Sequence, residues 1–226
     1  MLSILVSKAS GLRIEEFCQL RSKPLRNRQD DLDYEMPNVI DPKKDLIHSS
    51  KSSDIYENLL LYKGEKYKPT IYIAMKIEVA TSETAKEIEL MKAMSDAQVA
   101  PTFYGCQYTK TEPIPKSKYE SKTSTDKAEI TVYIAQKLLK SNLEEYEVRK
   151  ELQSINILER KITLWAQVVS GLYKLNLLGY AHSELDLTNL LVDESLSKIF
   201  IIDYKKAQLL EWPEASLKPS EKSLLM

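Results

Sequence analysis

Hydrophobic and polar positions change period several times along this chain, and each change marks an element. Between Asp45 and Glu78, apolar runs at Leu46-Ile47-His48, Ile55 to Tyr62 and Thr70 to Ile77 are separated by polar turns. That spacing predicts a meander of antiparallel strands. From Ser82 to Met94 the period lengthens, with Ala85, Ile88, Met91 and Met94 recurring along one helical face. Strands are predicted again at Pro101 to Tyr108 and Ile130 to Gln136. Between them Thr109 to Asp126, rich in Lys, Ser, Thr and Pro, reads as a surface insertion. A long amphipathic helix follows on Ile157, Leu158, Ile162, Trp165, Val168, Val169, Leu172, Leu175 and Leu178, and stops at Gly179. Leu190-Leu191-Val192 and Ile199-Phe200-Ile201-Ile202 then predict two short strands.

Residues 1 to about 45 lack a clear period. One helix is expected from Leu12 to Arg21, then a charged run with Pro24, Pro37 and Pro42, which suggests an N-terminal extension with little core of its own. The remainder divides into residues 46–137, strands plus one helix, and residues 138–226, largely helical.

Composition narrows the function classes. A chain of 226 residues, 43% of them apolar, can bury a substantial core as one domain or two lobes. A formal net charge of -1 provides no broad electrostatic footprint, so nucleic acid is not expected as a partner. Met1 to Val6 is too short an apolar run for a signal peptide, and no later stretch reads as spanning a bilayer. A cytoplasmic or nuclear protein without membrane contact is expected. Cys18 and Cys106 stand far apart without ligand-spaced neighbours, so two reduced thiols are expected, with neither zinc nor a disulfide framework. Five glycines in all leave no glycine-rich phosphate loop.

Candidate chemistry concentrates in His182-Ser183-Glu184-Leu185-Asp186-Leu187-Thr188-Asn189 and in Asp203, where acidic and amide side chains stand at the ends of two apolar strands. Oxygen ligands so placed suit a hard cation. Their order resembles the catalytic loop and metal-binding strand of the protein kinase-like superfamily, H-R-D-L-x-x-x-N and D-F-G. Upstream, Ile73-Ala74-Met75-Lys76 is similar to the V-A-I-K of that family, and Lys86-Glu87-Ile88-Glu89-Leu90-Met91 resembles its ion-pairing helix. A lysine among apolar neighbours on a buried strand needs an anionic partner, and Glu87 or Glu89 can supply it.

The resemblance implies an α+β, two-lobe kinase-like fold: a small antiparallel sheet plus one helix, then a much reduced helical lobe. It implies ATP and Mg as ligands, with Lys76 on the phosphates, Glu87 orienting Lys76, Asn189 and Asp203 on Mg, and Glu184 as catalytic base. Ala74, Gln136 and Leu138 would meet the nucleotide, Ala135 would guard the back of the adenine pocket, and the Ser49 to Asp54 turn would cover the phosphates; the hinge register stays open. Departures are Ser183 for Arg, Glu184 for Asp, Tyr204-Lys205 for Phe-Gly, and Asp186 where many protein kinases place a phosphate-contacting Lys. The expected function is transfer of the ATP γ-phosphate to a hydroxyl acceptor, protein Ser or Thr first. The alternative is a pseudokinase acting as a nucleotide-binding or protein-interaction module. Only 23 residues follow Asp203, so some of Trp165, Leu172, Leu175, Leu209, Leu210 and Trp212 are expected to stay exposed and to serve a partner protein or an oligomer.

Overall fold

In the computed structural model, residues 13–26, 33–36, 43–62, 71–111, 129–139, 141–148 and 157–210 are described. Of the expected insertion Thr109 to Asp126, residues 109–111 instead continue a strand, while residues 112–126 lie outside the described residues, as does Trp212. In chain order the elements are α1 (Ile14–Phe17), β1 (Gln19–Leu20), β2 (Leu25–Arg26), β3 (Asp33–Glu35), β4 (Leu46–Ser49), β5 (Ser53–Tyr62) and β6 (Ile71–Val79). There follow α2 (Ser82–Asp96), β7 (Phe103–Thr111), β8 (Glu129–Lys137), β9 (Ser141–Asn142), α3 (Leu143–Val148) and α4 (Ile157–Leu177). The last are β10 (Tyr180–Ala181), β11 (Leu190–Val192), β12 (Ile199–Ile201) and β13 (Gln208–Leu209).

The molecule is α+β, built on a large sheet of strand order β1-β7-β8-β6-β5-β3-β2, with β4 also paired to β5. This sheet is larger than the small meander read from the sequence, because the N-terminal segment contributes three strands. β1 lies parallel to β7, while β2 and β3 continue the sheet beyond β5. Ile14, Cys18, Leu25, Tyr34 and Met36 are all buried, which corrects the expectation of an extension with little core. The expected helix from Leu12 to Arg21 is likewise reduced to the single turn α1, since Cys18 is already extended and β1 follows.

β7 carries a bulge between Phe103 and Gly105, which bends the strand locally. Gly105 has φ +140°, and a Cβ there would come within 2.8 Å of Leu25 Cδ1. A side chain at this position would therefore disturb both the bulge and the packing of β2 over β7.

α2 begins with a capping box: Thr81 Oγ1 accepts from Glu83 N, and Thr84 Oγ1 accepts from Thr81 N. Its Ile88, Met91 and Met94 join Phe103, Ile134 and Val132 in the main core, which continues into Val168, Leu175, Leu190 and Ile201. Gly171 lets α4 approach β12 closely, since a Cβ there would stand 2.7 Å from Val99 Cγ1 and 2.9 Å from Ile201 Cδ1. That contact seats the β11–β12 hairpin, which carries Asn189 and Asp203 at its ends.

The opposite side of α4 has no cover among the described residues. Leu158, Ile162, Trp165, Val169, Tyr173 and Leu177 are exposed at helical spacing, with Leu158 at 73% and Val169 at 66%. Of the residues expected to be exposed, Trp165 and Leu209 are, whereas Leu175 is fully buried and Leu172 packs against the core. No described helix is long and apolar enough to cross a membrane.

Cys18 and Cys106 form a disulfide across a sequence separation of 88, with Cα atoms 4.8 Å apart. This corrects the expectation of two reduced thiols. Spacing along the chain carried no sign that the end of α1 meets the middle of β7. Reduction, or Cys18→Ser, is expected to lower folding stability by about 2–5 kcal/mol. Thiol titration of the denatured, unreduced protein should find no free thiol; two reactive thiols would contradict the pairing.

Candidate functional site

The pleat of β6 sorts its side chains. Ile73 and Met75 face the cluster of Leu25, Tyr34, Leu60 and Ala135, and the alternate positions Ala74, Lys76 and Glu78 share the other face. α2 packs on that side and presents Glu87. Lys76 Nζ donates to Glu87 Oε1 at 2.6 Å and lies 3.2 Å from Glu78 Oε2. Of the two carboxylates offered by α2, Glu87 therefore meets the lysine. Glu89 instead lies near Tyr180, adding to the burial that raises that phenol's pKa.

The ion cluster extends further. Lys205 Nζ donates to Glu78 Oε2 at 3.0 Å, and Thr84 Oγ1 donates to Glu78 Oε1 at 2.8 Å. Glu87–Lys76–Glu78–Lys205 thus forms a continuous chain of alternating charge with little solvent contact. Two cations offset two anions, which limits the cost of burying the charges, while the buried Glu87 Oε2 has no hydrogen-bond partner among the described residues.

Burial would push the Glu78 carboxyl up, but Lys76, the Thr84 hydroxyl and Lys205 outweigh it and hold the group below the usual carboxylate range. Glu87 is raised by its deeper burial, against the pull of Lys76. Burial opposes the Lys76 charge, yet Glu87 and Glu78 raise its pKa overall. The sign for Glu78 follows: its stabilisation is complete above the ordinary carboxylate value of 4.5 and is lost as pH falls through its lower folded value. Glu78→Gln should therefore remove part of the acid-side fall in unfolding free energy. Identical acid slopes for variant and wild type would show that Glu78 is not an ionised member of this chain.

The second half of the site lies on the loop between β10 and β11 and just beyond β12. Leu190 pairs with Ile201, and Ile202 N donates to Asn189 O at 3.0 Å, so Asn189 and Asp203 stand at adjacent strand ends. The Asn189 amide donates to Glu184 O at 2.8 Å, which holds Oδ1 as its remaining acceptor. Asp186 caps the 3₁₀ turn Leu187–Asn189 by accepting from Thr188 N and Asn189 N. The Thr188 hydroxyl foremost, against slight burial and with those amides, lowers its pKa. Asp186 thus helps to hold Asn189 in place.

Asp203 is exposed in the left-handed region at φ 62°, and its carboxylate has no hydrogen bond or ion pair among the described residues. Ser183, also in this loop, has φ 67°. Backbone in this region costs about 1–3 kcal/mol per residue and persists where surroundings over-determine it. Those surroundings are visible here. Tyr204 is fully buried, its hydroxyl donates to Ile201 O at 2.9 Å, and burial pushes its phenol well up. His182 Nε2 donates to Ile202 O at 2.9 Å, its ring centroid 5.4 Å from that of Tyr204. Glu184 is exposed beside Asn189, with no partner for its carboxylate among the described residues.

The donor set fits magnesium better than a fully caged metal. Among the described residues no group of three or more His, Cys, Asp or Glu side chains can hold a metal ion. An amide oxygen and one free carboxylate are what an ion sharing its remaining sites with water and phosphate requires.

On the expected adenine side, Ala74 pairs with Gln136 and Lys76 with Ile134. Directly opposed residues share a face, so Gln136 and Ile134 lie on the Lys76 side. Ala135 pairs with Met75 and belongs to the opposite cluster, which corrects its assignment as the pocket guard. Leu138 follows β8 directly and is half-buried. The Ser49 to Asp54 turn is closed on itself: Ser50 Oγ accepts from Ser52 N and Ser53 N, and Ser49 Oγ donates to Asp54. The Ser49, Ser50 and Ser53 hydroxyls and these two amides are thus engaged within the turn.

Glu78 and Lys205 were missed as site residues. Glu78 was readable, since a carboxylate two positions after Lys76 on a strand must share its face. Lys205 had no such local signal, because its partner is 127 positions away. No protein-family model matches this chain, and no curated protein matches it either.

Proposed function

We propose that the chain is an ATP-dependent phosphotransferase of the protein kinase-like, two-lobe type, acting on a hydroxyl acceptor, with protein Ser or Thr as the first candidate. The observation that carries this reading is the Lys76–Glu87 pair at 2.6 Å on the same face as Glu78, together with Asn189 and the unpaired Asp203 at adjacent strand ends.

In this reading the Lys76 ammonium, oriented by Glu87, meets the phosphates, and Ala74, Gln136 and Leu138 meet the base. Asn189 Oδ1 and Asp203 would hold Mg, which neutralises charge developing on the phosphate oxygens. Glu184 accepts the proton of the acceptor hydroxyl as its oxygen bonds to the γ-phosphorus. The bond from that phosphorus to the bridging oxygen breaks, leaving ADP.

A second reading, the pseudokinase or interaction module, is favoured by one observation: the apolar stripe from Leu158 to Leu177 on α4, which has no cover among the described residues. Exposed stripes of this kind usually mark a partner site. The deciding experiment follows label from γ-labelled ATP to the chain itself, to Ser/Thr peptides and to small hydroxyl compounds. Transfer to any of these supports the enzyme; sound Mg-ATP binding without transfer supports the module.

A further inference from the structure

We propose that Lys205 is a positioning residue that, through Glu78, fixes the Asp203 turn to the strand bearing Lys76, so that one charge chain sets both the metal-binding carboxylate and the phosphate-binding ammonium. The inference rests on the nucleotide reading above for what Asp203 binds; the tether itself does not.

The geometry leads there in three steps. Glu78 Oε2 is shared by Lys76 at 3.2 Å and Lys205 at 3.0 Å, and the Glu78 side chain is fully buried. Without Lys205, the single cation Lys76 would face two buried carboxylates, leaving one negative charge uncompensated, which is strongly unfavourable. The bridge also crosses the site: Glu78 lies on β6, while Lys205 lies in the 3₁₀ turn Tyr204–Lys206, two residues after Asp203. Finally, the turn is fastened on the same side by α2, where Lys86 Nζ donates to Ala207 O at 2.7 Å. Asp203 is therefore flanked on one side by Ile202, paired to Asn189, and on the other by a turn fastened through buried Tyr204 and two lysine contacts, an arrangement that can over-determine its left-handed backbone. With Glu78 neutralised by Lys205, Lys76 is also less strongly claimed by a second carboxylate and more available to phosphate.

The test uses the full chain with Lys205→Met, Lys205→Arg, Glu78→Gln and the Lys205→Met/Glu78→Gln double variant. Without nucleotide, the two single losses in unfolding free energy should be non-additive, and amide exchange from Tyr204 to Ala207 should quicken in Lys205→Met but not in Lys205→Arg. Additive losses with unchanged exchange would overturn the tether. With ATP, the magnesium concentration giving half-maximal thermal stabilisation should rise about 10-fold or more in Lys205→Met, as for other residues that orient metal ligands. Lys205→Arg should restore it. Glu78→Gln should reproduce the rise with the sequence of the Asp203 turn intact, which keeps the test decisive if Lys205→Met fails to fold. A coupled tether with an unmoved magnesium requirement would overturn the positioning role. Wild type without any Mg-ATP response would overturn the nucleotide reading and the metal half of this proposal together, while the coupling and exchange still decide the tether.

Discussion

Replacing Glu184 by Gln is expected to lower phosphoryl transfer by about 100- to 10,000-fold, the usual contribution of a general base, while leaving Mg-ATP affinity nearly intact. The expectation follows from where Glu184 stands. Its backbone carbonyl is bonded to the Asn189 amide, whereas its carboxylate has no partner among the described residues and is open to solvent. Removing the charge therefore breaks no fold contact and leaves Asn189 in place. Glu184→Asp should retain transfer or improve it, because it restores the shorter stem usual in kinases at this position, and displacements of about 1 Å can matter in a positioned site. Steady-state assays of both variants decide this. Transfer that survives Glu184→Gln unchanged would show that another group takes the proton.

The second large effect is on stability. Glu87→Gln or Lys76→Met should each cost about 3–5 kcal/mol in unfolding free energy, because each leaves a buried charge without its closest partner. Glu89→Gln, on the same helix but outside the chain of ion pairs, should stay within about 0.5 kcal/mol of wild type. Denaturant unfolding of the three variants reads this directly. Equal, small losses at Glu87 and Glu89 would show that the 2.6 Å contact does not organise this site.

How far the sequence carried can be judged from these residues. Lys76 was legible because a charged side chain flanked by Met75 and Ile77 on a strand demands a partner, and the next helix supplied one. Asn189 and Asp203 were legible because the apolar strands before and after them fix which residues stand at their ends. The N-terminal strands were not: β1, β2 and β3 hold only two or three residues each, and their apolar positions are too few to show a period. What makes them strands is pairing that leads back to distant strands: β1 pairs with β7, β3 with β5, and β2 with β3. The Cys18–Cys106 bond and the Lys205–Glu78 pair were hidden for the same reason. Asp186 was legible as a charge, but its capping of the turn was not, because a carboxylate three residues before Asn189 caps a turn as readily as it faces a ligand. Ala135 lies on the face opposite Lys76, because on a strand a shift of one residue moves a side chain to the other face.

The central claim is that Asn189 and Asp203 bind magnesium together with nucleotide beside the Lys76–Glu87 pair. Thermal unfolding of wild type and Asp203→Ala, with ATP in the presence and absence of Mg, tests it most directly. Saturating Mg-ATP at about 100 times its dissociation constant should stabilise the wild type by about 2.7 kcal/mol, and Asp203→Ala should lose most of the Mg-dependent part while keeping the response to ATP alone. Equal losses with and without Mg, or a wild type that responds to neither, would contradict the account.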